Sequence, residues 1–174
     1  ANRYLRPKPV LLLQTNGGLP PDMKPIPYSW SRDLPLELSL EIIKKYKSKY
    51  HIIHITRADG YQLPDVERID SILPNMELFS LLYNSTKRIL IDSALQHASV
   101  ALGLKSNVLW IGTSYINFGY NLHNNITSHT PNNQNQLIKS YTTDYLFSHN
   151  EAECPYMSVN EIFNIPEVLN RLGN

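Results

Sequence analysis

Four short apolar runs, each closed by polar or glycine-containing residues, constrain this chain more than any other feature. They are Val10-Leu11-Leu12-Leu13-Gln14, His51-Ile52-Ile53-His54-Ile55, Arg88-Ile89-Leu90-Ile91-Asp92 and Asn107-Val108-Leu109-Trp110-Ile111-Gly112. Runs so short and so apolar read as strands buried on both faces. Pro7 and Pro9 bound the first run on one side and Gly17-Gly18 on the other. Pro20, Pro21, Pro25 and Pro27 keep the following loop out of helix. Helical patterns fill the spaces between the runs. Asp33 is expected to cap a helix that tolerates Pro35 in its first turn. Leu36, Leu40, Ile43 and Tyr46 form its apolar face, with Lys44, Lys45 and Lys47 solvated. A second helix spans Glu77 to Asn84, with Met76, Phe79, Leu82 and Tyr83 as its stripe. A third spans Leu95 to Leu104 and is closed by Gly103. Strands alternating with helices at this spacing predict an α/β fold: a parallel sheet with helices on both faces.

Composition narrows the function classes. The chain has 174 residues, enough for one domain with its own core, 1–174. Hydrophobic residues make up 42% and charged residues 18%, as in globular proteins. A net charge of +1 argues against a broad basic face for nucleic acid. The single cysteine, Cys154, excludes an internal disulfide or a Cys-rich zinc site and is read as structural. A reducing, cytoplasmic setting is expected. No apolar run approaches the ~18–20 residues of a membrane span. Ala1 to Pro9 carries charge and proline but no apolar signal segment. The start at Ala1 suggests a fragment or a processed product. Residues 113–145 are rich in Asn, Ser, Thr and Tyr and read as a polar insertion. Residues 150–174 read as a tail and helix.

In an open α/β sheet, ligands bind at the carboxyl ends of the strands. The candidates are therefore Thr15-Asn16-Gly17-Gly18, Thr56-Arg57, Asp92-Ser93-Ala94-Leu95-Gln96-His97 and Thr113-Ser114. The Asp92 segment is the sharpest. A strand ends there and a helix begins, so backbone amides at Ser93 to Gln96 are expected to point outward as an anion site for a phosphate or diphosphate. His97 lies one turn in and can hydrogen-bond a phosphate oxygen. The plain alternative makes Asp92 or Ser93 an N-cap and His97 a packed helix residue. Arg32, just before the first helix, can clamp a phosphate bidentately; the alternative is an ordinary surface arginine.

Sharper motifs are missing. The chain has no Gly-x-Gly-x-x-Gly, no Gly-x-x-x-x-Gly-Lys-Ser/Thr and no Gly-x-Ser-x-Gly, which disfavours dinucleotide, P-loop and triad-hydrolase readings. His51, His54, His97, His123, His129 and His149 form no strong metal spacing. His51 and His54 fall on opposite faces of their strand.

The segments Met76 to Ser85, Arg88 to Ala98, Ala101-Leu102-Gly103-Leu104 and Val108 to Gly112, taken together, resemble glycosyltransferase family 9, the lipopolysaccharide heptosyltransferase family. That family carries a helix, then a strand ending in Asp-Thr-Gly with a His three residues on, then Ala-x-x-Leu-Gly and another strand. Leu11-Leu12-Leu13-Gln14-Thr15 resembles its opening strand of the C-terminal half. Ser31-Arg32-Asp33-Leu34-Pro35 resembles its Lys-x-Trp-Pro step, and Glu153 to Ile162 its closing Cys-containing segment. The resemblance implies a Rossmann-like unit, one half of a GT-B enzyme, that binds a nucleotide-diphosphate sugar as donor. It places Arg32 where the family has a phosphate-binding Lys. It puts Thr15 and Asn16 near the donor diphosphate, and Asp92, Ser93 and His97 around the donor's phosphates and sugar; Ala94 and Gln96 join the donor site through the amide cluster. Ala94 departs from the family's Gly, narrowing that space. The family's acidic residue for the nucleotide ribose has no clear match; Asp59, Asp65 and Glu67 are all open. The acceptor and the general base would come from an absent N-terminal half. No metal or other cofactor is expected, since Asp-x-Asp is missing and cations stand in for a metal. Tyr115, Phe118, Tyr120, Tyr141 and Tyr145 suit either stacking on a ligand or packing, with packing favoured. The competing readings are a non-catalytic module for a sugar nucleotide or a protein partner, and a nucleotide-sugar epimerase.

Overall fold

The computed structural model describes residues 7–17, 30–128, 156 and 158–173. The elements run in the order β1 (Val10–Gln14), α1 (Leu36–Tyr46), β2 (His51–Ile55), β3 (Glu67–Ile69), α2 (Asn75–Asn84), β4 (Lys87–Ile91), α3 (Ala94–Ala101), β5 (Asn107–Trp110), α4 (Tyr115–Phe118), β6 (Asn124–Thr127), α5 (Val159–Ile162) and α6 (Ile165–Arg171). The strands pair in the order β3-β2-β1-β4-β5-β6, with every pairing parallel. This is the Rossmann-like α/β sheet that the four runs predict. The chain builds outward from β1 on one side and from β4 on the other. Its topological switch lies between those two central strands.

Residue alternation along each strand divides the core in two. Leu11 and Leu13 of β1 face α1 and the C-terminal helices, with Ile52, Ile89, Ile91, Phe163 and Val168. Val10 and Leu12 face α2 and α3, with Ile53, Leu81, Leu82, Leu90 and Leu95. All five β1 residues are buried, which explains the unbroken apolar run.

The structure corrects several expectations about the elements. Helix α1 buries Leu38, Ser39, Ile42, Ile43 and Tyr46, whereas Leu36 and Leu40 are exposed. Two leucine rows compete along this helix, and the row at Leu38, Ile42 and Tyr46 wins because it meets the sheet. Pro35 precedes the first turn of α1 with no side-chain cap, so Asp33 is not its N-cap. Helix α2 buries Leu81 and Leu82, while Met76 and Tyr83 are exposed. Gly103 closes α3 as expected, at a φ of +69°. Two edge strands were not expected. Three-residue β3 is partly exposed throughout, and β6 begins Asn124-Asn125 within the polar stretch. Gly18, the four loop prolines, His129, Tyr141, Tyr145, His149 and Cys154 lie outside the described residues. No helix among the described residues is long and apolar enough to cross a membrane.

Candidate functional site

The switch between β1 and β4 opens at their carboxyl ends, and two side chains tie it together. Ser93 Oγ donates to Gln14 Oε1 at 2.7 Å and accepts from Leu95 N–H at 3.2 Å. Ser93 is thus the N-cap of α3, in extended backbone. The Gln96 N–H returns to the Ser93 carbonyl at 3.2 Å. The expected amide cluster is therefore narrower than Ser93 to Gln96. Among the described residues only Ser93 and Ala94 keep N–H groups free there. Ala94 is exposed as the first residue of the helix. Ser93→Ala is expected to cost about 1 kcal/mol of stability, from loss of the cap, and urea denaturation checks it.

A short segment crosses this mouth. Gly112 N–H, just past β5, donates to Ser31 O at 2.7 Å, and Leu34 N–H donates to Thr15 O, just past β1, at 2.8 Å. Since β4 lies between β1 and β5, the segment 30–34 bridges the carboxyl end of β4, where Asp92 and Ser93 lie. The segment is tightly held. Trp30 meets Tyr156 edge to face at 6.1 Å, and Leu34 is fully buried. Asp33, 2% exposed, accepts from Gly17 N–H at 3.4 Å and pairs with Arg57 at 3.5 Å. Every residue from Trp30 to Pro35 is buried except Arg32. The Arg32 guanidinium lies over Gly17, within 3.8 Å of where a Cβ would stand. It has no hydrogen bond or ion pair among the described residues. Asp92 is half-buried and likewise unpaired among them.

The other expected site residues sit differently. Thr15 is fully buried; its Oγ1 lies 2.7 Å from His54 Nε2, so its hydroxyl turns into the fold. Asn16 is also buried. Its Oδ1 accepts from Arg57 N–H at 2.9 Å, and its Nδ2 donates to Thr56 Oγ1 at 3.0 Å. These two residues hold the β1 and β2 ends together beneath the mouth. The Gln96 side chain is buried and donates to Phe118 O at 3.0 Å, so it anchors α4. His97 is exposed, with Nδ1 2.9 Å from the Tyr120 hydroxyl. Tyr115, Phe118 and Tyr120 are 38–43% exposed, so these three are only partly packed; Tyr141 and Tyr145 lie outside the described residues.

Sequence reasoning missed the polar network below the segment. His54 is fully buried, and its Nδ1 has no partner among the described residues. Burial, with Arg68 nearby, pushes its pKa down to about 4. Its ring stacks on Tyr61, whose hydroxyl donates to Leu34 O at 2.9 Å and lies 2.7 Å from Ser39 Oγ. The signal was present in His54, Tyr61 and Ser39, but each lies on a different element. No group of three or more His, Cys, Asp or Glu placed to hold a metal occurs among the described residues.

The fold and mouth together define an open, parallel α/β unit with a segment bearing Arg32 over the sheet switch. No protein-family model matches the chain, and no curated protein does. Solved structures do share its fold. A glycosyltransferase family 9 protein from Veillonella parvula DSM 2008 is similar at a TM-score of 0.57 and 12% identity, over 96% of this chain and 46% of its own. The heptosyltransferase TibC, described as dodecameric and iron-containing and in complex with ADP-D-β-D-heptose, is similar at 0.61 and 14%, over 99% and 47%. TibC from enterotoxigenic E. coli H10407 is similar at 0.61 and 15%, over 99% and 46%. The chain therefore has the fold of one half of these glycosyltransferases and spans about half their length.

Proposed function

We propose that this chain is the donor-binding half of a metal-independent glycosyltransferase of the heptosyltransferase kind. Its donor is a nucleotide-diphosphate sugar, and its setting is cytoplasmic assembly of a bacterial surface glycan. The observation that carries this reading is Arg32: a half-buried guanidinium, unpaired among the described residues, on an otherwise buried segment across the β1/β4 mouth. Arginine presents a fork of donors that matches two phosphate oxygens. The free N–H groups of Ser93 and Ala94 at the start of α3 add fixed positive dipoles on the same side. As a sugar is transferred, negative charge builds on the departing diphosphate, and preorganised donors stabilise that charge. Asp92 cannot serve the phosphates, because a carboxylate repels them; it accepts a hydroxyl of the sugar instead. His97 joins the phosphate side only if its ring leaves Tyr120. The fold likeness to TibC, whose solved complex holds ADP-D-β-D-heptose, makes ADP the first nucleotide to try. The acceptor and the general base come from a second half, which fits the coverage of about half of each similar structure.

Calorimetric titration of the chain with ADP, UDP and GDP, with and without Mg²⁺, tests this reading. Saturable binding of one of them, unchanged by Mg²⁺, is the expected result. Binding of none, to this chain and to the chain joined to an N-terminal half, would refute it. A non-catalytic protein-binding module would then be the better account.

A further inference from the structure

The opposite end of the sheet carries positive charge that no carboxylate among the described residues pairs with. A cleft of ≈ 580 Å³ opens there, at the amino ends of β4, β5 and β6. That volume lies in the range of ligand sites, about 300–1,000 Å³. Lys87, Arg88, Lys105 and Arg171 line it, and no Asp or Glu does. Among the described residues none of the four is in an ion pair. Lys87 donates to Leu172 O at 2.8 Å, and Arg171 to Asn125 O at 2.7 Å. Arg88, 8% exposed, donates only to neutral oxygens, including Leu82 O at 3.1 Å and Lys105 O at 3.0 Å. Lys105 is exposed and its side chain makes no hydrogen bond among the described residues. A buried cation without a carboxylate is costly to keep unless an anion comes to it. Arg88 is the buried one of the four; in a chain whose net charge is only +1, four cations around one cleft are a local excess.

A second feature points the same way. Ser106, 2% exposed, lines this cleft, and its Oγ has no hydrogen-bond partner among the described residues. Its N–H is already used by His123 Nδ1 at 3.2 Å. Ser99 Oγ and Thr113 Oγ1 also lack a partner among the described residues, but of the three hydroxyls only that of Ser106 belongs to a residue lining this cleft, and an acceptor there would satisfy it once the side chain turns outward. No Tyr, Trp or Phe lines the cleft, and the ring of His123 is 6% exposed and held edge-on by Ser106 N–H and Gln96 O. Asn124 spends its amide N–H groups on Asn107 Oδ1 and Arg171 O, leaving its carbonyl for a hydroxyl.

We propose that this cleft is a second anion site, which takes the phosphate of a small phosphorylated polyol. It lies at the other end of the sheet from the mouth and does not depend on the donor reading.

The test is an amide NMR titration of the whole chain at constant ionic strength. The probes are inorganic phosphate, glucose 6-phosphate and glucose. The expected result is saturable shifts at Lys105, Ser106, Asn107 and Asn124 with both phosphates, tighter for the ester, and none with glucose. Lys105→Gln, at an exposed position, should weaken the ester about fivefold, as should Ser106→Ala, each losing one contact. Shifts that never saturate, that chloride reproduces, or that both variants leave unchanged would overturn the site. Equal affinity for phosphate and ester would overturn the polyol and leave a free-phosphate site. ADP moving only Ser93 and Ala94 at the mouth would leave this proposal intact, so the two sites fail separately.

Discussion

Arg32→Ala is expected to weaken binding of the nucleoside diphosphate about 10- to 150-fold, the worth of a charge-assisted contact of about 1.5–3 kcal/mol. The melting temperature should hardly move. Arg32 makes no native hydrogen bond or ion pair among the described residues, so truncation breaks none of those. Its neighbours Trp30, Ser31, Asp33 and Leu34 are buried and keep the segment in place. Arg32→Lys should fall between, since it keeps the charge but loses the fork. Gly112→Ala provides an independent handle. A Cβ there would stand 2.8 Å from Ser31 Cβ and 3.1 Å from Ser31 O, too close unless the segment moves. Binding should drop in Gly112→Ala with Arg32 still present, because position matters as well as charge. Undiminished binding in Arg32→Ala would sink the assignment of the diphosphate to this mouth. A large fall in melting temperature would make Arg32 a structural residue instead.

The sheet was legible in the sequence wherever a strand is buried on both faces. β1, β2, β4 and β5 each had an apolar run, because central parallel strands have no wet side. The edges were not legible. In β3 every residue is partly exposed, and only Ile126 of β6 is buried, so neither edge needs an apolar pattern. Helix faces failed for a different reason. α1 has apolar residues on more than one side, and only contact with the sheet decides between Leu36 and Leu38. At the site, the resemblance pointed to strand ends but not to side-chain direction. Thr15 and Asn16 stand at the mouth in sequence, yet they turn inward to His54, Thr56 and Arg57. Arg32 was legible as a cation before a helix. Its lack of a partner, which gives it meaning, depends on contacts from β1 and β5 that no local pattern records.

His54 is expected to give the chain a steep loss of stability on acidification. Its pKa falls from 6.5 to about 4 in the folded state, by burial first and Arg68 second. The unfolded chain therefore binds more protons than the folded one between those values, and stability falls as pH falls through that window. Above the window the imidazole is neutral in both states and contributes no pH dependence. The full effect is on the order of 3 kcal/mol, because each tenfold difference in proton affinity between the two states is worth about 1.4 kcal/mol. His123, lowered by burial as well, adds to the same limb. His54→Gln keeps a hydrogen-bonding partner for Thr15 Oγ1 and cannot charge. Urea denaturation at a series of pH values should show the variant's acid limb shallower by about one proton. The limb from carboxylates is common to both proteins, so the difference isolates His54. Identical limbs would mean that the imidazole is hydrated or repartnered in solution. The consequence reaches the mouth, because His54 touches Thr15, whose carbonyl holds Leu34. Tyr61, stacked on the same ring, holds Leu34 from the other side through its carbonyl. A charged His54 would loosen both grips on the segment that carries Arg32. Diphosphate affinity should therefore fall over the same pH window in the wild type and less in His54→Gln.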